Sequence, residues 1–230
     1  MMILIEGLIG AGKTTLGELL EDRWHIPLSR ELLDDNTLLI LNRFYSEKQR
    51  WSFLSQVNFL INRLAMSLEM QLGWRRLLSD RSIFGDRIFA EMLYEEGVMT
   101  REEFSTYDKM FNHVLKIHGQ SDLLIYVDCD VDVAISRISH RNRDCEKNIS
   151  REYLIKLNKK YKSWFNCFHD APKLLLNTNH VDIRTREGEA YILQLIEHEI
   201  DAKKLTIFQE GSSVPRRNFY LGKEQCFAVG

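Results

Sequence analysis

Ile3-Leu4-Ile5-Glu6-Gly7-Leu8-Ile9-Gly10-Ala11-Gly12-Lys13-Thr14-Thr15 decides the fold of this 230-residue chain. The phosphate-binding pattern G-x-x-x-x-G-K-[ST] is filled by Gly7, Gly12, Lys13 and Thr14. An apolar run precedes it and a helix-like stretch from Thr15 to Asp22 follows. Glycines let backbone N–H groups curl around a phosphate at a helix N-terminus without Cβ clashes. Lys13 then reaches the β- and γ-phosphates and Thr14 can ligate Mg²⁺. Gly7, Gly10, Gly12, Lys13, Thr14 and Thr15 are therefore the candidate phosphate-binding residues, with Mg²⁺ an expected cofactor.

Outward from this loop, short apolar runs alternate with longer helical patterns, the signature of a parallel α/β sheet flanked by helices. Met2–Glu6, Leu77–Asp80, Leu123–Asp128 and Leu174–Asn177 read as strands, and Ile26–Arg30 as a weaker one. Each of the four ends in a polar residue, and in such sheets ligands bind beyond the carboxyl ends of the strands. From Trp51 to Leu72 the spacing of Leu54, Val57, Ile61, Leu64 and Leu68 predicts one apolar face of a long helix, with Gln56 and Arg63 on a polar face. Thr100 and Glu103 form a capping box for a helix that Gly119 closes. Asp130 is placed to cap the next helix, with Val131, Ala134, Ile135 and Ile138 inward. Tyr153, Leu157, Tyr161, Trp164 and Phe168 form a stripe that reads as core, and Gly188–Lys204 as the last helix. A phosphate-loop domain over residues 1–204 with an unassigned tail over 205–230 is the expected organisation.

With 44% hydrophobic residues the chain can bury one sizeable core. A net charge of −2 gives no basic field for non-specific nucleic-acid binding. Four scattered cysteines with no C-x-x-C pair fit neither a zinc site nor a disulfide framework. With no basic leader and no run of about 18 apolar residues, a cytoplasmic protein acting on small molecules, away from nucleic acid and membrane, is the expectation.

Two further clusters carry chemistry. Asp80-Arg81-Ser82 stands where a strand ends and a helix begins, delivering a carboxylate that can hold Mg²⁺ and a guanidinium that can neutralise a transferring phosphoryl group. Arg137, Arg141 and Arg143 suit a short arginine-rich lid over about residues 137–150, since phosphoryl transfer spreads charge over the equatorial oxygens. Lys147 and Arg151 follow closely, so a solvated basic face is the alternative.

Taken together, E-G-x-I-G-x-G-K-T-T, E-L, F-Y-x-x-x-x-R-W, the Gln56 to Arg63 helix, D-R-S-I-F-x-D-R and R-x-x-x-R-x-R resemble the deoxynucleoside kinase family, in its deoxycytidine, deoxyguanosine and bacterial deoxyadenosine kinase branch. The resemblance runs from Met2 to about Phe168. It implies a P-loop kinase fold and transfer of the ATP γ-phosphoryl group to the 5′-hydroxyl of a deoxynucleoside. Glu31 would be the general base, and Lys13, Arg81, Arg141 and Arg143 would act on the phosphoryl group. Tyr45 and Glu146 would bind the 3′-hydroxyl, and Gln56, Arg63 and Asp86 would read the base. The segment Asn179–Asp182 would lie near the adenine of ATP, Arg137 and Arg141 would also bind this cofactor, and a homodimer would form through the long helices. Leu8, Phe84 and the lack of Pro after Glu31 depart from the family's usual pattern without removing a chemical group.

A thymidylate-type monophosphate kinase shares the loop, a D-R-x motif and an arginine lid, but its anionic acceptor needs a cationic clamp in place of a carboxylate base. Glu31 fits the first chemistry and Arg30 beside it the second. Asp34 and Asp35 read as solvated loop carboxylates. A nucleotide-binding switch without transfer activity would leave Tyr45, Gln56, Arg63 and Asp86 unexplained.

Overall fold

The computed structural model describes residues 1–30, 34–72, 76–142, 146 and 149–203, with the backbone alone considered for 69–72. Five strands, β1 (Met2–Gly7), β2 (Leu28–Ser29), β3 (Leu77–Asp80), β4 (Leu123–Asp128) and β5 (Lys173–Asn177), pair in the order β2-β3-β1-β4-β5. Every pairing is parallel. Ile3, Leu4 and Ile5 have no exposed surface, as a central strand covered on both faces requires. From β1 the chain crosses to the edge strand β2 and returns to lay β3 between them, then builds outward on the other side through β4 and β5. The crevice beyond the strand ends therefore opens where β1 delivers the phosphate loop.

Eight helices are described: α1 (Lys13–Trp24), α2 (Asp35–Ser46), α3 (Lys48–Leu72), α4 (Ile83–Glu95), α5 (Arg101–His118), α6 (Val131–Arg141), α7 (Arg151–Cys167) and α8 (Arg186–Ala202). The capping box at Thr100 and Glu103 is present, and Gly119 ends α5 at φ +78°. The α7 stripe is core: Leu157 and Tyr161 are fully buried and Trp164 nearly so. Asp130 occupies the N-cap of α6 without a side-chain bond to the helix; its own N–H instead donates to Asn179 Oδ1. The last helix begins two residues before its expected start because the hydroxyl of Thr185 accepts Gly188 N–H.

Two expectations are corrected. Asp34 and Asp35 are not loop carboxylates, for Asp34 caps α2 by accepting Thr37 N–H at 2.6 Å and Asp35 opens the helix. The long helix α3 is also turned from its expected facing. Of its stripe, Leu54, Ile61 and Leu68 lie outward at 44%, 53% and 43% exposed and Val57 and Leu64 pack against the core, while Ser52, Ser55, Gln56, Leu60, Arg63, Met66 and Ser67 are buried. Polar groups go inward here because partners meet them there: Ser67 donates to Arg63 O at 2.7 Å, and Arg63 meets a carboxylate of α4.

Candidate active site

The loop after β1 has the backbone that its glycines permit. Gly10 and Gly12 sit at φ +81° and +100°, conformations costly for any residue with a Cβ, and Gly12 is the N-cap of α1. Lys13 is nearly buried, and its ammonium donates at 2.9 Å to the carbonyls of both Gly7 and Leu8. Thr14 Oγ1 donates at 2.5 Å to Asp80 Oδ2. These are two hard oxygen donors from different elements, at the mouth of a cleft that Gly10, Gly12, Lys13, Thr14, Thr15, Asp80, Arg81, Arg141 and Glu146 line. This donor set suits Mg²⁺, which usually takes one or two protein oxygens and completes its shell with phosphates and water.

Arg81 enters the cleft from an unusual backbone. At φ +74° it is left-handed, a conformation of order 1–3 kcal/mol above ordinary ones for a residue with a side chain. Its N–H donates to Ile5 O at 2.9 Å and its carbonyl accepts the Ser79 hydroxyl at 2.7 Å. The next residue, Ser82, donates both N–H and Oγ–H to Glu6 Oε1, at 2.6 and 2.7 Å. Glu6 is fully buried, and burial pushes its carboxyl above the ordinary range despite the opposing pull of Arg81 and Ser82. Among the described residues Arg81 also lies over the Phe89 ring, with its guanidinium carbon 5.2 Å from the centroid.

Arg141 Nη2 and Nε reach Glu146 at 2.5 and 3.1 Å across the top of the same cleft. Arg137 is held differently. Its Nη1 donates to Ala11 O and to the Thr178 hydroxyl at 3.0 Å, and Nη2 to Thr178 O at 2.6 Å and Val181 O at 3.3 Å. It thereby ties the phosphate loop to the turn after β5. Residues 137–141 are the end of α6, so the first part of the expected lid is helix, which Asn142 closes in a left-handed conformation. A second cleft of about 750 Å³ opens between these elements, lined by Gly12, Thr15, Arg137 and the segment Asn179–Arg184. Within it, hydrogen bonds from Arg184 hold Asp182 down to about 2.

On the other side of the strand ends, Arg63 Nε of α3 meets Asp86 Oδ2 of α4 at 2.9 Å, both side chains almost sealed from solvent. Asp86 stands one turn beyond Ser82, so the strand-to-helix turn that presents Arg81 also presents Asp86. Gln56 lies two turns before Arg63 on the same buried face, and its Oε1 is buried with no partner among the described residues. Tyr107 presents a hydroxyl in the same condition, its acidity suppressed by burial and then by the Asp86 charge. Tyr45 is half-buried at the end of α2. Such a constellation can present fixed donors and acceptors to a flat polar ligand.

A family model for deoxynucleoside kinases matches residues 3–200. The chain belongs to the deoxynucleoside kinase family. It is an enzyme of that family, a phosphotransferase. The chain is 31% identical over 190 residues to the deoxyadenosine/deoxycytidine kinase of Bacillus subtilis, covering 81% of this chain and 87% of that one. A deoxyadenosine kinase of Dictyostelium discoideum is 37% identical over 168 residues, which span 73% of this chain and 65% of that protein. Among solved structures, the deoxyadenosine kinase of M. mycoides with bound dATP superposes with a TM-score of 0.74 at 25% identity, covering 87% of this chain and 99% of that one.

Of the residues that the family resemblance singles out, Glu31 and Arg143 lie outside the described residues, as does the tail from 204 onward. Arg30, the cation beside Glu31, donates to Glu21 of α1 at 2.7 Å and is half-exposed. Glu6, Ser79, Ser82 and Thr178, all buried at the strand ends, belong to the site's framework, although Ser79 and Thr178 stand in no motif and Glu6 and Ser82 stood in motifs without a role of their own. The available signal was Glu6 itself, a carboxylate closing an otherwise apolar buried strand.

Proposed function

We propose that this kinase transfers the γ-phosphoryl group of ATP to the 5′-hydroxyl of deoxyadenosine, deoxycytidine or deoxyguanosine, in preference to thymidine. The observation that carries the reading is the buried Arg63–Asp86 pair, one turn from Ser82 and two turns from Gln56 with its unmatched oxygen. An ionised carboxylate beside a guanidinium offers an acceptor and donors to a base that bears an exocyclic amine. Thymine would set a carbonyl lone pair against the carboxylate. Support also comes from the relatives named above and from the M. mycoides enzyme, whose structure with the products dCMP and dCDP covers 88% of this chain at 26% identity and a TM-score of 0.73.

In this reading the donor's phosphates lie on the backbone N–H groups of Gly10, Gly12, Lys13, Thr14 and Thr15. Its base lies in the cleft between Arg137 and Asn179–Asp182. Thr14 and Asp80 would hold Mg²⁺, which would neutralise phosphate charge. Glu31 takes the proton of the 5′-hydroxyl as its oxygen attacks the γ-phosphorus in line and the bond to the β-phosphate oxygen breaks. Lys13, Arg81, Arg141 and Arg143 neutralise the equatorial and leaving oxygens. Tyr45 and Glu146 hold the 3′-hydroxyl, for which the Arg141–Glu146 contact would have to open. Engagement of Arg30 by Glu21 argues against a cationic clamp for a monophosphate acceptor. Two copies would pair through the outward stripe of α3. No described helix is long and apolar enough to cross a membrane, and the proposed location is the cytoplasm.

The test is Glu31→Gln, which keeps the size and removes the proton acceptor. The expected result is a kcat lower by about 10²- to 10⁴-fold with little change in ATP affinity. A kcat within a few-fold of wild type would favour a monophosphate acceptor.

A further inference from the structure

Arg81 adopts a backbone that few residues other than glycine tolerate, and its surroundings determine that backbone from three directions. β1 takes its N–H through Ile5 O, the Ser79 hydroxyl takes its carbonyl, and Glu6 takes the N–H and hydroxyl of the residue that follows. Glu6, Ser79 and Ser82 have no exposed surface, so water cannot replace these contacts. The fit around Glu6 is close: a Cβ on Gly85, in the first turn of α4, would stand 2.3 Å from Glu6 Oε1. Glycine at this position lets the carboxylate reach under the helix start and grip Ser82. Strained backbone persists where its neighbours over-determine it, and it aims the side chain that it carries.

We infer that Glu6 and Ser79 are positioning residues that hold the left-handed backbone of Arg81 and thereby aim its guanidinium into the phosphate cleft. Neither touches the reacting atoms, and both act through Arg81. This rests on the proposal that Arg81 neutralises the transferring phosphoryl group. If the peptide flank relaxed to an ordinary conformation, the side chain would leave the cleft, and a displacement of about 1 Å at a reacting centre lowers turnover by up to about 100-fold.

The experiment measures kcat and the two KM values for Ser79→Ala, Glu6→Leu and Glu6→Gln, each alone and combined with Arg81→Ala. Alone, Ser79→Ala and Glu6→Leu should lower kcat by roughly 10- to 100-fold with nucleoside KM nearly unchanged, and Glu6→Gln, which retains an acceptor oxygen, should recover most of the loss. In the Arg81→Ala background the same changes should lower kcat by no more than about 3-fold, because the group they aim is gone. Equal losses in both backgrounds would mean that the two residues merely support the fold, overturning the inference. Wild-type kcat in Ser79→Ala and Glu6→Leu, with Arg81→Ala impaired, would overturn the inference alone. Wild-type kcat in Arg81→Ala would overturn the assignment of Arg81 and the inference with it. Should Glu6→Leu fail to fold, Ser79→Ala, which removes a single hydroxyl, decides the question.

Discussion

The two ends of the crevice are built from different materials. At the end proposed for the phosphates the binding groups would be mainly main-chain amides, in a loop shaped by two glycines and by a lysine that grips the loop's own carbonyls. At the end proposed for the base they would be side chains, Gln56, Arg63 and Asp86, brought together from α3 and α4 and sealed from water. The triphosphate of every donor is the same, so backbone geometry suffices for it. A base must be told from other bases, which takes donors and acceptors that differ from one residue type to another. Changes at the first end should therefore abolish turnover for every acceptor, and changes at the second should reorder the acceptors.

The largest expected effect is at the phosphate end. Lys13→Ala should lose nearly all transfer with any nucleoside while nucleoside binding in the absence of ATP survives, as read by calorimetry. Wild-type turnover in this variant would break the comparison at its firmer side.

At the base end, Asp86→Ala alone takes the opposing charge from a buried guanidinium and should destabilise the fold by about 3–5 kcal/mol. Adding Arg63→Met removes that charge, so thermal stability should partly return. The double variant should also raise thymidine kcat/KM relative to the native substrate, since each relieved mispairing is worth about 1–3 kcal/mol. An unchanged ranking of bases would reduce the pair to a pin between two helices.

A third test asks how far the base end depends on the buried polar face behind it. Ser67 donates its hydroxyl proton to Arg63 O, and so accepts from His118 Nδ1–H at 2.7 Å. The histidine's Nε2 is buried with no partner among the described residues. Burial first, and the Arg63 charge second, lower its pKa to about 4. The unfolded chain, with an ordinary histidine, binds the proton first as pH falls. Stability should thus be complete above about pH 6.5 and be lost toward pH 4, by roughly 3 kcal/mol in all. Glu6, raised by burial, contributes a slope of opposite sign. The readout is therefore the difference in denaturation midpoint between wild type and His118→Gln across this range, and no pH-dependent difference would contradict the burial of a neutral imidazole.

The smallest effect concerns the outer face of α3. Ile61→Lys places a charge in the centre of the Leu54, Ile61, Leu68 stripe and should weaken association of two copies by about 1.5–3 kcal/mol for each isoleucine removed from the contact. Sedimentation should show the variant dissociating at concentrations where wild type stays paired, whereas a wild type that is monomeric throughout would remove the proposed dimer.

The same contrast explains what could be read from the sequence. Four strand assignments agree with the structure to within a residue, because a buried parallel strand is a contiguous apolar run with a polar end and needs no tertiary information. The phosphate loop was legible because its function is local. The facing of α3 was not: its heptad of leucines and isoleucine looks like core, but the interior it borders is filled by the Arg63–Asp86 pair and by serines that hydrogen-bond to backbone. Periodicity reports which residues avoid water and leaves open whether a core or a second molecule hides them. α2 was missed because its apolar residues Leu38, Leu39 and Ile40 fall in a row, and the cap at Asp34 looked like loop acid. The grip of Glu6 on Ser82, 76 positions away in sequence, appears only once β1 and β3 lie side by side.

The most direct measurement is turnover with ATP and Mg²⁺ against deoxyadenosine, deoxyguanosine, deoxycytidine, thymidine and thymidine monophosphate under identical conditions. The account predicts that one of the first three leads in kcat/KM, with thymidine at least about 10-fold behind and the monophosphate inert. A lead for thymidine, or phosphorylation of thymidine monophosphate in place of the nucleosides, would contradict it.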